Sequence, residues 1–122
     1  MRKKVLLIED NYDLRELIAE LLELNGYSVL SARDGGEGLA MAVTELPALI
    51  VSDLRMPVLS GYELISCLQR DVRTHQIPVV LTSAKFGHNS DVVAQHKNVA
   101  AYLEKPFNEE KLLKCISNAL RT

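Results

Sequence analysis

The sequence predicts an α/β fold in which one doubly wound sheet of five parallel strands is covered by five helices, in the order (βα)5. Short apolar runs with little alternation recur along the chain, which is typical of strands buried on both faces. A segment with apolar residues at helical spacing follows each run, and parallel strands need such crossover connections. No low-complexity linker interrupts the alternation, so we expect a single domain over residues 1–122.

The first half of the chain is predicted to form two strands and two helices. Residues 5–8 are an apolar strand that runs into Glu9 and Asp10, and a helix follows from about residue 12 to residue 25. Gly26 supplies a left-handed stop, and residues 27–30 resume as a strand. Asp34 can cap a second helix to about residue 45, which Pro47 closes. The predicted inner faces of these helices carry Leu14, Leu17, Ile18, Leu21 and Leu22, and Leu39, Ala40, Val43 and Leu46.

The second half begins with the apolar run of residues 49–57, which brings Asp53 to the end of a buried strand. A third helix is predicted from residue 60 to about residue 70, and a fourth buried strand over residues 78–82. In the polar stretch that follows, Ser90 can cap a short helix. Residues 101–104 form the fifth strand, and Asn108 caps the last helix.

Composition and charge exclude several classes of protein. The 16 acids and 14 bases give a net charge of −2, and the basic residues cluster only at residues 2–4, so we expect no direct nucleic-acid binding by this domain. No run approaches the length of about 18 apolar residues that a membrane span needs, and no signal peptide is present. Cys67 and Cys115 have no CxxC partner and fit a reducing compartment. We therefore expect a cytoplasmic protein without membrane attachment.

Polar residues follow four of the five predicted strands. The first strand ends at Glu9 and Asp10, the third at Asp53 and the fourth at Thr82, and Lys105 follows the fifth. Because the carboxyl ends of parallel strands meet at one edge of a sheet, we expect these side chains to lie together there. For Asp53 taken alone, an acid that caps the following turn is the alternative interpretation.

Three carboxylates and one ammonium group suggest a particular chemistry. Carboxylates that are packed together repel one another, so the site needs cations in addition to Lys105. A set of oxygen ligands with room for water suits Mg²⁺, whereas Zn²⁺ prefers His and Cys. Mg²⁺ beside a carboxylate, a hydroxyl and a lysine can handle a phosphoryl group, with the aspartate as the nucleophile.

These motifs, in this order, resemble the receiver (CheY-like) domain of bacterial two-component response regulators over essentially the whole chain. The resemblance rests on Glu9-Asp10, on Asp53-Leu54-Arg55-Met56-Pro57 with Gly61 after it, on Thr82-Ser83-Ala84 and on Lys105-Pro106-Phe107. The family usually has a cis peptide bond between the lysine and the proline, which the resemblance implies for Lys105 and Pro106. It also places an aromatic residue three positions before the lysine, where this chain has Tyr102.

The resemblance implies a role for each residue of the site. Asp53 would take a phosphoryl group from the phosphohistidine of a sensor histidine kinase or phosphotransfer protein, or from a small phosphodonor. Asp10, Asp53 and the backbone carbonyl of Arg55 would hold Mg²⁺, with Glu9 acting mainly through water. Lys105 would pair with the phosphoryl oxygens.

The resemblance also implies a switch, in which the Thr82 hydroxyl bonds a phosphoryl oxygen and the movement of its loop lets the Tyr102 ring rotate. Tyr102 as an ordinary core residue is the alternative. The switch would remodel a surface for a downstream protein target or a fused output domain, or for a phosphorylation-dependent homodimer. Such a domain catalyses its own phosphorylation and dephosphorylation, but it is not a conventional enzyme.

Two other functions are compatible with part of this pattern. A receiver-like interaction scaffold that works without phosphorylation would be expected to lack at least one of Asp10, Asp53, Thr82 and Lys105, and all four are present. An aspartate-based phosphotransferase of the haloacid dehalogenase type would have a second acid two residues after the nucleophile. Arg55 stands at that position in this chain.

Overall fold

The fold is seen in a computed structural model, which describes residues 2–84 and 97–121. In chain order the described elements are β1 (Lys4–Ile8), α1 (Tyr12–Leu24), β2 (Ser28–Ala32), α2 (Gly35–Glu45), β3 (Leu49–Asp53), α3 (Gly61–Arg70), β4 (Val79–Ser83), β5 (Val99–Glu104) and α4 (Glu109–Arg121). The predicted α/β class is confirmed. The short helix predicted from Ser90 lies outside the described residues. In the part of the chain that the model describes, no helix is long and apolar enough to span a membrane.

The five strands form a single parallel sheet in the order β2-β1-β3-β4-β5. This is the doubly wound, flavodoxin-like arrangement, in which the chain first moves to one edge and then crosses to the other. The register pairs Ile8 with Ser52, and Asp53 with Thr82. The carboxyl ends of β1, β3 and β4 are therefore level with one another, which brings the residues that follow them to one place.

Two separate hydrophobic clusters cover the two faces of the sheet. Because strand side chains point alternately to opposite faces, Leu6 and Ile8 pack towards α2 and α3, whereas Val5 and Leu7 pack towards α1 and α4. All residues of β3 and β4 are buried. These two central strands carry Asp53 and Thr82, so both site residues belong to the most enclosed part of the sheet.

The helix caps predicted at Asp34 and Asn108 are confirmed. The Asp34 carboxylate accepts a hydrogen bond of 2.8 Å from the Glu37 backbone N–H, and the Asn108 side chain accepts one of 2.8 Å from that of Lys111. At the start of α3, Ser60 and Glu63 bond each other's backbone N–H groups in a capping box. Each cap satisfies backbone donors that an open helix end would leave without a partner.

The predicted inner faces of α1 and α2 are partly wrong. Leu17 and Leu46 are 64% and 52% exposed, and Ala40 is also exposed. In α1 the predicted Ile18 and Leu22 are buried, together with Ala19, whereas the buried residues of α2 are Gly35, Gly38 and Ala42, none of which was predicted. A Cβ atom at Gly38 would collide with the Ile8 side chain, so α2 approaches the sheet through its smallest residues. Hydrophobicity alone did not predict that contact.

Candidate functional site

The three predicted acids converge at the carboxyl edge of the sheet. Glu9, Asp10 and Asp53 each offer a carboxylate oxygen, and these oxygens lie within 4.8 Å of one another. Glu9 and Asp53 are buried, at 2% and 9% exposure, whereas Asp10 is exposed at the mouth of the site. The site therefore has a sheltered interior and one acid that faces solvent.

Lys105 lies between the two buried acids. Its Nζ is 2.9 Å from Glu9 Oε1 and 3.4 Å from Asp53 Oδ2. Its backbone N–H donates to the Ser83 carbonyl at 2.7 Å, which fixes the residue just beyond β5. The peptide bond between Lys105 and Pro106 is cis, as the resemblance implied. One ammonium group thus pairs with two carboxylates that would otherwise repel each other.

Contacts on several sides hold Glu9 in place. Its Oε2 accepts a hydrogen bond of 3.1 Å from the Asn11 backbone N–H, and its backbone carbonyl accepts one of 2.8 Å from the Arg15 guanidinium. The sequence did not predict the contacts of Asn11 and Arg15, nor the direct Glu9–Lys105 pair. The extra methylene group of Glu relative to Asp could have indicated the Glu9–Lys105 pair, since it extends the reach of the carboxylate.

Burial and charge shift the pKa of both partners of this pair. Burial raises the pKa of Glu9, and the hydrogen bonds from Lys105 and Asn11 offset that effect only in part. Burial also disfavours the ammonium form of Lys105, but the carboxylates of Glu9 and Asp53 more than compensate, so the pKa of Lys105 is raised. Lys105 is therefore a permanent cation at neutral pH in a site that still has more negative than positive groups.

The two oxygens of Asp53 have different partners. Oδ1 accepts a hydrogen bond of 2.9 Å from the Leu54 backbone N–H, and Oδ2 faces Lys105. The bond from Leu54 is the local interaction expected of an acid that caps a turn. The contact with Lys105 places the same carboxylate in the charged cluster. The two contacts together orient a carboxylate that faces an acidic pocket.

Thr82 is next to Asp53 in the sheet register. Its hydroxyl donates to the Ser52 carbonyl over 3.5 Å, and the side chain is 3% exposed. Tyr102 pairs with Leu81 in the register, one position before Thr82, and its ring is half-buried. Arg55 is exposed, two residues after the acid. Thr82 is thus adjacent to Asp53 in the sheet and Arg55 is close to it in sequence, while the roles of Thr82, Tyr102 and Arg55 stay predictions.

The start of α3 is packed against the end of β3. The Gly61 backbone N–H donates to the Leu54 carbonyl at 2.8 Å. A Cβ atom at Gly61 would lie 2.8 Å from Leu54 Cα and 2.9 Å from the Asp53 carbonyl oxygen, closer than side chains tolerate. Glycine is required at this position because no larger residue fits between the helix and the acidic strand end.

The donor set fits a hard divalent cation. Three carboxylates face one ammonium group, so one further cation is needed for the charges to balance. All the donors in the cluster are oxygens, and the exposed Asp10 leaves room for coordinated water. These are the preferences of Mg²⁺ rather than of Zn²⁺.

Comparison with known families agrees with this geometry. Residues 5–117 match the family model of the response regulator receiver domain. The chain belongs to this family. Protein PilH of Pseudomonas aeruginosa is 33% identical over 117 residues, which cover 96% of this chain and 97% of PilH.

Solved receiver structures share the fold. Chemotaxis response regulator CheY4 of Vibrio cholerae matches with a TM-score of 0.88 and 30% identity, over 98% of this receiver and all of CheY4. The receiver domain of sensor histidine kinase PA1611 from Pseudomonas aeruginosa matches with a TM-score of 0.89 and 24% identity, over the full length of both chains. At that identity the likeness shows the fold alone. The PA1611 structure has a magnesium ion coordinated in its active site cleft.

Some relatives are much longer than this receiver. The hybrid signal transduction histidine kinase D of Dictyostelium discoideum is 37% identical over 116 residues, which are 95% of this chain but 7% of the kinase. Receiver domains in this family therefore occur both nearly alone, as in PilH, and within histidine kinases.

Proposed function

We propose that this receiver accepts a phosphoryl group on Asp53 and thereby changes its affinity for a protein partner. The observation that carries the proposal is the position of the Asp53 carboxylate, with Oδ2 3.4 Å from Lys105 Nζ and within the Glu9 and Asp10 cluster. A carboxylate that only caps a turn does not need a buried cation and two further acids. A phosphoryl acceptor needs cations because its product carries additional negative charge, and two further acids are suited to hold a divalent one.

In the proposed reaction, an Asp53 carboxylate oxygen attacks the phosphorus of a phosphohistidine or of a small acyl phosphate. The new O–P bond forms as the P–N or P–O bond to the donor breaks, and the donor leaves with that electron pair. Lys105 is placed to pair with the transferred phosphoryl oxygens while it keeps its contact with Glu9. Asp10, Asp53 and the Arg55 carbonyl would hold Mg²⁺, with Glu9 acting through water, and the bound ion would supply the charge that the phosphoryl oxygens need.

The resulting acyl phosphate would be reported by Thr82 and Tyr102. The Thr82 hydroxyl bonds a backbone carbonyl over a long 3.5 Å, so exchange for a phosphoryl oxygen would give it a stronger, charge-assisted partner. Movement of the Thr82 loop would then allow the neighbouring Tyr102 ring to rotate. That change would alter the surface around β5 and α4.

The partners follow from this reaction. A sensor histidine kinase or phosphotransfer protein would donate the phosphoryl group, in the cytoplasm. A downstream protein target, a fused output domain or a second copy of the chain would bind the altered surface. The occurrence of matching domains within histidine kinases supports the first part of this proposal.

The test is incubation with acetyl phosphate and Mg²⁺, followed by intact-mass spectrometry. We expect wild type to gain one phosphoryl group and Asp53→Asn to gain none, with Asp13→Asn, an exposed acid in α1, as the matched control that behaves as wild type. Omission of Mg²⁺ should abolish the reaction. No Mg²⁺-dependent phosphorylation of wild type, together with no spectral response to beryllofluoride, would contradict the proposal and favour a receiver-like scaffold.

A further inference from the structure

A cavity of about 530 Å³ lies at the amino edge of the sheet, opposite the acidic site. The segments that lead into β4 and β5 line it, together with the first half of β5 and the second half of α4. The six residues of β5 lie between Asn98, at the cavity, and Lys105, at the acidic site. Strand geometry makes that separation roughly 20 Å, so the cavity is a separate place on the molecule.

Asn98 is the unusual residue of the cavity wall. It is 6% exposed, yet neither the nitrogen nor the oxygen of its side-chain amide has a hydrogen-bond partner. A buried amide without partners is destabilising, and most buried polar groups in proteins are paired. Because Asn98 lines a cavity, a group bound there can supply the missing donor and acceptor.

The backbone around Asn98 is fixed. Its carbonyl accepts a hydrogen bond of 2.7 Å from the Val79 N–H at the start of β4. Val79 pairs in register with Val99 and Val80 pairs with Ala101, so the residue between them in β5 is an extra one that forms a bulge. Bulges are common beside functional sites, where they redirect side chains. The Asn98 amide, which no hydrogen bond holds, can rotate towards the cavity without losing one.

The other lining residues indicate which chemistry the cavity accepts. Gln76 and Asn118 add two carboxamides, and Lys97 is the one charged residue among the described residues of the wall. The remaining surface includes small apolar residues, namely Pro78, Ala100, Ala101 and Ala119. This combination suits a flat, polar-edged ring that carries a negative charge.

We propose that the cavity binds a nucleotide, with the base edge on the Asn98 amide and the phosphate near Lys97. A nucleobase edge carries neighbouring donor and acceptor atoms, which pair with the two ends of a carboxamide. The volume lies within the range of roughly 300–1,000 Å³ that is usual for small-molecule sites. This site does not depend on phosphoryl transfer to Asp53.

The two cysteines provide the measurement. Cys115 lines the cavity, whereas Cys67 belongs to α3, and both are half-buried. We follow their alkylation by N-ethylmaleimide with peptide mass spectrometry, without Mg²⁺, so that no phosphate is held through a metal at the acidic site. The probes are AMP, GMP, CMP and UMP, and ribose 5-phosphate is the control that lacks a base.

We expect at least one nucleotide to protect Cys115 and to leave Cys67 unchanged. Alkylation of Cys115 should slow roughly 10-fold when the nucleotide is at about ten times its Kd, and ribose 5-phosphate should give no such protection. Protection that is equal with ribose 5-phosphate, or equal at Cys67, would overturn the proposal. No protection by any of the four nucleotides would also overturn it, and would indicate that water alone satisfies Asn98.

Two variants test the assigned contacts. Asn98→Leu keeps a side chain of similar size and should abolish the protection of Cys115, with a urea midpoint no lower than that of wild type because no side-chain hydrogen bond is lost. Lys97→Met should weaken the protection, whereas Lys111→Met, at an exposed lysine outside the cavity, should not. Full protection in Asn98→Leu, or equal protection in the two lysine variants, would contradict the proposed contacts.

Discussion

The acidic site and the tyrosine pair, Tyr62 in α3 and Tyr102 in β5, lie at the same end of the sheet but are held by different forces. Glu9, Asp53 and Lys105 are fixed by contacts between buried charges at 2.9 and 3.4 Å. The tyrosine pair is half-buried and packs against the hydrophobic cluster that contains Leu54 and Leu81. Removal of one partner from a buried charged group is costly, whereas a half-buried ring can change its packing at a smaller cost. The contrast suggests that the first region is built to stay fixed and the second to change.

The largest expected effect tests the charged region. Lys105→Met removes the cation that compensates Glu9 and Asp53 and keeps a side chain of similar length. We expect the free energy of unfolding in urea to fall by about 3 kcal/mol at neutral pH without metal, because two buried carboxylates lose the cation that pairs with them. Saturating Mg²⁺ should restore part of this loss by supplying another cation.

Lys111→Met is the matched control for that experiment, since Lys111 is an exposed residue of α4. Its change in stability should stay within about 0.5 kcal/mol of zero. A loss in Lys105→Met that is no larger than in Lys111→Met would show that the charged region is not held together by its cation.

A smaller loss of stability tests the contact between the start of α3 and the end of β3, which lies between the two regions. In Gly61→Ala the new Cβ atom would meet backbone atoms of Leu54 and Asp53 at 2.8 and 2.9 Å, which cannot move as a side chain can. We expect the free energy of unfolding to fall by about 2 kcal/mol because of this overpacking, together with slower phosphorylation.

Gly26→Ala separates crowding from backbone strain in this experiment. Gly26 has a φ of +93°, with open space where its Cβ atom would stand, so alanine should cost about 1 kcal/mol there through φ alone. It should leave phosphorylation unchanged, because Gly26 lies beyond the end of α1. If both variants slow phosphorylation equally, the close contact at Gly61 does not couple the two regions.

The smallest effect concerns the loop that leads from the acidic site to α3. Val58 has a φ of 72° and is 79% exposed, so a β-branched residue occupies the left-handed region with little burial to offset the strain. Val58→Gly should raise the free energy of unfolding by about 0.5 kcal/mol, since the relieved strain exceeds the entropy that glycine adds to the unfolded chain. Val58→Ala keeps the strain and should give no gain. A gain in both variants would indicate that side-chain removal, rather than φ, is responsible.

The sequence predicted the acidic site well for a specific reason. Parallel strands of similar length end at one edge, so the strand assignment alone brings Asp53, Thr82 and Lys105 together. The cis bond before Pro106 came from the family resemblance rather than from the strands. The sequence did not predict which atoms pair within the site, such as Glu9 with Lys105 and with Asn11, because these contacts depend on side-chain rotamers.

The sequence did not predict the tyrosine pair, for an equally physical reason. Tyr62 and Tyr102 belong to elements without a shared motif, and their contact depends on how closely α3 approaches β3 at Gly61. The prediction of the inner face of α2 was wrong for a related reason, since hydrophobicity does not reveal which glycines form a helix–sheet contact. Periodicity indicates which residues are apolar, but not how near two backbones come.

The two hydrophobic clusters on opposite faces of the sheet have a consequence for how such receivers diversify. The sheet separates them, with the tyrosine pair packed on the side of α2 and α3 and the inner faces of α1 and α4 on the other. Substitutions beneath α1 and α4 can therefore accumulate during evolution without altering the packing around Tyr62 and Tyr102. A lineage can thus repack the interior beneath α1 and α4 while the packing beneath α2 and α3 stays the same.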